Sequence, residues 1–132
     1  MNQTVLQRVV EELQAVLTGR YFGKIYQLGP LSFAVDFGLR GEFLLISVDP
    51  ASPRLYLTHR RTRDLEKQSP ALNAFAQVMR SKLSGADMFE ITRDPLDRIV
   101  RFTFRTEDES RQIIFRRLVI QLTGRTANVF LL

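Results

Sequence analysis

The stretch IVRFTFRTEDESRQIIFRRLVIQL, residues 99–122, decides the fold class. Apolar and polar residues alternate at its start, so Val100, Phe102 and Phe104 take one face of a strand and the odd-numbered residues take the other. The acidic segment 106–110, TEDES, is typical of a hairpin turn, and a second apolar strand follows it. We therefore expect residues 97–105 and 112–122 to pair as an antiparallel hairpin.

The flanking sequence extends this hairpin into a meander, because the short strand FEIT (89–92) precedes it and ANVFLL (127–132) follows it. A second meander of four short strands is predicted between Arg20 and His59, divided by turn signals at 29–30, 40–41 and 49–53. Within it, EFLLISV (42–48) is continuously apolar, which predicts a strand covered on both faces.

Two helices complete the pattern. In the first, apolar residues recur at helical spacing from Leu6 to Leu17, with Thr4 and Gln7 as a capping box and Gly19 at its end. The second is expected after a polar connection at 59–70, begins at Ser69-Pro70 and runs toward Gly85. Helix, strands, helix, strands predicts one α+β domain over residues 1–132, with antiparallel, sandwich-like sheets and two main helices.

Composition excludes several function classes. The chain has no cysteine and a single histidine, His59, so neither thiol chemistry nor a zinc site is expected. No phosphate-binding glycine loop, GxSxG elbow or HExxH pair is present, and the paired carboxylates 11–12 and 106–110 fit a solvated helix face and a turn. We expect a protein that is not an enzyme and uses no cofactor, metal or small-molecule substrate.

The ends of the sequence and its hydropathy bear on location. No stretch reaches the apolar length of a membrane span, and Glu11 and Glu12 interrupt the first apolar pattern, unlike a signal sequence. We therefore expect a cytoplasmic protein with no membrane partner. Because the last residues, NVFLL, form an apolar strand with no polar tail, we also expect a fragment of a longer protein.

The charge pattern leaves two interpretations open. The formal net charge is +5, and 16 of the 19 basic residues are arginine, whose planar group suits phosphate and base recognition. On a hairpin, Arg101, Arg105, Arg116 and Arg117 would gather beside a groove for a phosphate backbone. The alternative is an ordinary solvated outer face.

Asp97 and Arg98 lie where the first strand of the hairpin begins. The arginine stem can pack at the rim of the apolar face while its head reaches solvent. The aspartate can accept a hydrogen bond in the turn, fix the guanidinium or contact a ligand. An exposed ion pair contributes only about 0–1 kcal/mol, so stability is a weak reason for this couple.

Four blocks carry a resemblance to a known family: LISVDPASPRLYLT (45–58), VMRSKLSG (78–85), LDRIVRFTF (96–104) and LVIQLTGRTANVFLL (118–132). From about Gly19 to Leu132 they resemble the N-terminal domain of the NFACT family, which includes RqcH, NEMF and proteins called fibronectin-binding protein A. The family's helix-hairpin-helix, coiled-coil and C-terminal RNA-binding parts are absent from this sequence.

The resemblance implies a part of a ribosome-associated quality control factor. Such a factor binds tRNA and the rRNA of an obstructed large ribosomal subunit, and in bacteria it directs alanine tailing. The family's Asp-Arg motif, which contributes to tRNA engagement, matches Asp97 and Arg98. Together with the other matching blocks, the resemblance gives as candidate RNA-binding residues Asp97, Arg98, Arg125, Asn128, Arg80 and Lys82. Ser81 and Thr126-Ala127 depart from the family pattern, and the resemblance leaves the oligomeric state and tRNA preference open.

Two alternatives stay open beside this hypothesis. The family domain resembles in fold the N-terminal domain of formamidopyrimidine-DNA glycosylases, which use an N-terminal proline amine. This chain begins Met1-Asn2-Gln3, so Schiff-base chemistry is not expected and at most a glycosylase-like DNA-binding domain is implied. The family's older name points instead to a fibronectin-binding surface protein.

Overall fold

The computed structural model describes residues 1–132 and contains two four-stranded antiparallel sheets, each with its strands in chain order. The first sheet is formed by β1 (Ile25–Gly29), β2 (Ser32–Val35), β3 (Glu42–Ser47) and β4 (Arg54–His59). The second is formed by β5 (Asp87–Arg93), β6 (Ile99–Glu107), β7 (Ile113–Gln121) and β8 (Asn128–Leu131). Both predicted meanders are confirmed, and so is the hairpin, in which Ile99 lies opposite Gln121 and Glu107 opposite Ile113.

The helices are α1 (Gln3–Leu17), α2 (Thr62–Gln68), α3 (Ala74–Leu83) and a short 3₁₀ helix at Gly124–Thr126. The predicted α+β class with antiparallel sheets is confirmed. The prediction of a polar connection at 59–70 is wrong, because α2 forms there. Leu65 of α2 is buried against Tyr26, Ala34 and Phe43 of the first sheet. A single buried residue in one short helix gives no periodicity in the sequence.

The start of α1 also differs from the prediction. Its N-cap is Asn2, whose Oδ1 accepts a hydrogen bond from the Val5 N–H at 2.8 Å, so the expected capping box of Thr4 and Gln7 does not form. The expected end is confirmed, since Gly19 follows the C-cap with a positive φ of 84°.

The start predicted for the second main helix, α3, is wrong by several residues. Asn73 is the N-cap and accepts from the Ala76 N–H at 3.0 Å. The Ser69 hydroxyl instead accepts a hydrogen bond from the Gln27 N–H at 2.9 Å, so this backbone donor on the outer edge of β1 has a partner. Ser69-Pro70 therefore belongs to the linker between α2 and α3.

The main core is one cluster of 25 buried residues from both sheets, α1 and α3. Val100, Phe102 and Phe104 are fully buried, as the alternation in the sequence predicts. The middle strand β3 is buried along Phe43 to Ser47, which confirms that it is covered on both faces.

A short extended segment, residues 19–24, crosses from one sheet to the other. Residues 19–22 pair with the start of β5: the Gly19 N–H donates to the Met88 carbonyl at 2.8 Å, and the Phe22 N–H donates to the Ala86 carbonyl at 2.9 Å. The next two residues pair with the end of β2 through Asp36, which accepts from the Gly23 N–H at 2.8 Å. This segment therefore covers the free edge of β5 and fixes the position of one sheet against the other.

Gly23 allows this crossing, because a Cβ at this position would lie 2.5 Å from the Asp36 carbonyl oxygen. That oxygen belongs to the backbone and accepts the Gly23 N–H, so it has little room to move.

Helix α1 runs antiparallel to β5 along the same edge. Arg93 donates to the Gln7 side chain at 2.9 Å near the start of the helix, and Gln14 donates to the Ile91 carbonyl at 2.8 Å near its end. Met1 is thereby placed beside the loop that joins β5 to β6.

Gly23→Ala should lower the free energy of unfolding by about 1–3 kcal/mol, because the added methyl group overpacks a backbone contact between the sheets. Urea denaturation measures the change. Gly29→Ala is the matched control, since its nearest neighbouring atom would lie at an ordinary 3.8 Å. Equal denaturation midpoints for the two variants would contradict this account of the crossing.

Candidate functional site

Four of the six predicted site residues lie at one end of the second sheet. Asp97 and Arg98 belong to the β5–β6 loop, Arg125 lies in the 3₁₀ helix and Asn128 begins β8. The ladder Ile99–Gln121–Asn128 connects them across neighbouring strands, and the Leu122 N–H donates to the Arg98 carbonyl at 2.8 Å. We call Asp97, Arg98, Arg125 and Asn128 the Arg98 corner.

Asp97 and Arg98 do not form an ion pair with each other. The Asp97 Oδ1 accepts a hydrogen bond from the Arg98 backbone N–H at 2.8 Å, and Asp97 is exposed. The Arg98 guanidinium donates to the Met1 carbonyl at 3.3 Å and is partly buried. Of the three roles considered for Asp97, the turn hydrogen bond is therefore observed and fixing of the guanidinium is not.

The remaining polar groups of the corner are open to solvent. Arg125 is exposed and takes part in no ion pair or side-chain hydrogen bond. The Asn128 Oδ1 accepts from the Val129 N–H at 2.8 Å, while its side-chain nitrogen donates to no group of the chain. The hydroxyl groups of Thr123 and Thr126 lie 2.6 Å apart and brace the 3₁₀ helix that presents Arg125.

Arg93 and Met1 also contribute to this end of the sheet, and no pattern in the sequence indicates either residue. Arg93 contacts Gln3 and Gln7 of α1 and donates to the Asp97 carbonyl at 3.3 Å, so it ties the helix to the loop. Met1 is 97 positions from Arg98 in the chain. Contacts between residues so far apart in the chain follow from the fold and leave no local pattern in the sequence.

Arg80 and Lys82 are not brought to the Arg98 corner. They lie in the last turn of α3, which leads into the start of β5 at the opposite end of the second sheet. The seven residue-to-residue steps from position 98 to position 105 span about 23 Å at an ordinary strand rise. A common site for all six residues would have to be at least that long.

The four arginines of the predicted groove do not all lie on one face of the hairpin, because successive side chains of a strand point to opposite faces. Arg101, Arg105 and Arg117 share the outer face of the second sheet, whereas Arg116 points to the other side. Arg105 forms an ion pair with Asp87 at 2.6 Å, and its guanidinium lies over the ring of Phe89, 5.9 Å from the centroid. Paired acids therefore offset much of the cationic charge on this face, in keeping with the solvated-face interpretation.

Arg101 makes the second ion pair on this face, through two hydrogen bonds to Asp94 at 2.6 and 3.3 Å. The hydrogen bond from Arg101 holds the pKa of Asp94 below its usual range, against partial desolvation, which raises it. The same bond raises the pKa of Arg101. This pair closes the base of the loop that carries Asp97 and Arg98.

Residues 2–132 match the family described as NFACT N-terminal and middle domains, and the chain belongs to this family. A relative named Rqc2 homolog RqcH, from Streptococcus pneumoniae, is 29% identical over 128 residues, which cover 96% of this chain and 22% of that protein. The predicted family membership is thus confirmed. The chain spans about a fifth of the length of the curated relatives it matches.

Two solved structures share the fold. The N-terminal domain of fibronectin-binding protein PavA from Streptococcus pneumoniae has a TM-score of 0.84 and 28% identity, over 98% of this chain and 48% of that chain. The N-terminal part of a fibronectin/fibrinogen-binding protein from Streptococcus suis has a TM-score of 0.84 and 27% identity, over 96% of this chain and 47% of that chain. The likeness to glycosylases stays a prediction.

None of the helices is long and apolar enough to cross a membrane.

Stability at acid pH tests the Asp94–Arg101 pair. Because the folded-state pKa of Asp94 lies below its unfolded value, ionised Asp94 stabilises the fold above the ordinary aspartate pKa of about 4. That contribution is lost as the pH falls through the folded-state pKa. Asp94→Asn should therefore flatten the fall in stability below about pH 4, measured by urea denaturation across a pH series.

Arg101→Gln removes the donor and should flatten the same part of the pH profile, while the double variant adds nothing further. An acid profile unchanged in both single variants would show that the pair does not couple to folding.

Proposed function

We propose that this chain is a non-catalytic RNA-binding module of a ribosome-associated quality control factor, and that the Arg98 corner contacts tRNA. The full factor would engage tRNA on an obstructed large ribosomal subunit in the cytoplasm and, in bacteria, take part in alanine tailing. Family membership and the similarity to a protein named Rqc2 homolog RqcH support this assignment.

The observation that carries the proposal is the distribution of charge. Arg98 and Arg125 lie at one end of the second sheet and neither takes part in an ion pair, whereas Arg101 and Arg105 on the adjacent outer face are both paired with aspartates. Cations without a carboxylate partner are the ones that phosphate oxygens can bind without displacing an internal contact.

Each polar group of the Arg98 corner has a chemically reasonable role. The guanidinium of Arg98 keeps donors beyond the one used on the Met1 carbonyl, so it can bind a phosphate while its stem stays packed. The second oxygen of Asp97 and the side-chain nitrogen of Asn128 are an acceptor and a donor suited to a ribose hydroxyl or a base edge. Arg125 supplies an exposed cation beside them.

A second candidate partner is fibronectin, because two solved relatives carry that name. Nothing in the geometry of the Arg98 corner favours a protein ligand over an RNA. Surface plasmon resonance with immobilised fibronectin, run beside the tRNA assay, distinguishes the two partners.

The test is filter binding of tRNA to the chain over a salt series. Arg98→Gln combined with Arg125→Gln should weaken binding and reduce the steepness of the salt dependence, since each lost phosphate contact removes roughly 0.7–0.9 from the log–log slope. Arg111→Gln combined with Arg63→Gln is the control, because this pair loses the same two charges, with Arg111 in the β6–β7 turn at the opposite end of β6 and Arg63 on α2.

If the Arg98→Gln, Arg125→Gln variant binds tRNA with the affinity and salt slope of the Arg63→Gln, Arg111→Gln control, the proposal is contradicted. Affinity for fibronectin that the Arg98→Gln, Arg125→Gln variant loses while tRNA binding persists would contradict it as well.

A further inference from the structure

A polar pocket of about 300 Å³ lies on the outer face of the first sheet, on the side away from the main core. Its polar lining consists of Ser32, Ser47, Arg54, Tyr56, Arg60 and Gln68. The apolar part is supplied by α2 and the sheet, where Leu65 packs. No carboxylate lines the pocket.

The strand register explains how its floor is formed. Ser32 lies opposite Ser47 between β2 and β3, and Ser47 lies opposite Arg54 between β3 and β4. Residues directly opposite each other in antiparallel strands point to the same face. One row across three strands therefore carries two hydroxyl groups and a guanidinium on the same side, and Tyr56 stands two positions further along β4.

The two hydroxyl groups leave one donor unused. Ser47 is only 3% exposed, and its Oγ lies 3.0 Å from the Oγ of Ser32, the one hydrogen bond that either side chain makes. A pair of hydroxyl groups that shares one hydrogen bond uses one of its two O–H donors. Buried donors are normally satisfied, so a hydroxyl donor without an acceptor at the floor of a pocket points to a ligand that accepts hydrogen bonds.

The cations of the pocket are also without partners. Neither Arg54 nor Arg60 takes part in any of the four ion pairs of the chain or donates a side-chain hydrogen bond within it. Two guanidinium groups, a free hydroxyl donor and no competing carboxylate match a tetrahedral oxyanion with several acceptor oxygens.

We infer that this pocket binds a phosphate group, held by Arg54 and Arg60 over the Ser32–Ser47 pair. The binding of phosphate follows from the pocket alone, whereas the source of that phosphate rests on the proposed function. Met1 connects β4, the strand that carries Arg54, to the Arg98 corner, because the Leu55 N–H donates to the Met1 sulfur at 3.3 Å and the Met1 carbonyl accepts from Arg98. With the proposed function, the source of this phosphate is the backbone of the same RNA.

The first measurement is titration of the isotopically labelled chain with inorganic phosphate, followed by amide chemical shifts. Saturable shifts are expected at Ser47 and Arg54, and either Arg54→Gln or Arg60→Gln should weaken phosphate binding about tenfold or more, since hydrogen bonds to charged groups are strong. Arg63→Gln is the matched control, because Arg63 lies on α2 and does not line the pocket.

The second measurement is tRNA filter binding with the same variants. Weaker tRNA binding in Arg54→Gln and Arg60→Gln, but not in Arg63→Gln, would support an RNA phosphate as the ligand. Unchanged tRNA binding with phosphate binding lost would overturn RNA as the source and leave a free phosphate compound.

Absence of saturable shifts at the pocket, or equal phosphate affinity in all three variants, would overturn the pocket itself. Variants of Arg98 and Arg125 leave the inorganic phosphate titration unchanged, so failure of the proposed tRNA function is distinguishable from failure of this inference.

Discussion

The structure depends on the close backbone contact between Gly23 and Asp36. Six residues, 19–24, pair first with β5 and then with the end of β2, so one short segment holds both sheets. A side chain larger than hydrogen at position 23 would collide with the carbonyl oxygen that accepts its own N–H. Since α1 leads directly into this segment, the same contact sets where the helix lies along β5. The opposite end of α1 then places Met1 beside Arg98, and through Met1 the first sheet meets the second at the candidate site.

Both proposed anion sites combine two arginines that have no carboxylate partner with neighbouring hydrogen-bond donors that are also free. Arginine is abundant throughout the chain, so abundance does not mark a site. On the outer face of the second sheet, Asp87 and Asp94 engage Arg105 and Arg101. At the Arg98 corner and in the pocket on the first sheet, no carboxylate takes that role. An arginine without a carboxylate partner remains available to a polyanion, and the free donors beside it distinguish the two proposed sites from the other unpaired arginines of the chain.

Strict alternation and apolar runs predicted both meanders and the hairpin, because the side chains of a strand alternate between two faces. The faces of Val100, Phe102 and Phe104 followed from the sequence for that reason. Helix boundaries were less predictable, because Ser69 and Asn73 are both residue types that cap helices. In the structure Asn73 caps α3, whereas the Ser69 hydroxyl accepts a hydrogen bond from β1. The family resemblance is consistent with the four residues that lie together at the Arg98 corner. Three other features depend on how distant parts of the chain come together in the fold, and the sequence alone does not predict them. These are the distance of Arg80 and Lys82 from the corner, the contact of Met1 with Arg98, and the Ser32–Ser47–Arg54 row.

We propose that RNA lies across the end of the molecule where β6 begins and the 3₁₀ helix follows β7. Ultraviolet crosslinking of bound tRNA, followed by mass spectrometry of the modified peptides, locates the RNA directly. We expect crosslinks within residues 94–98 and 122–128. Crosslinks confined to the C-terminal turn of α3 or to the outer face formed by Phe89, Arg105 and Phe115 would contradict this proposal.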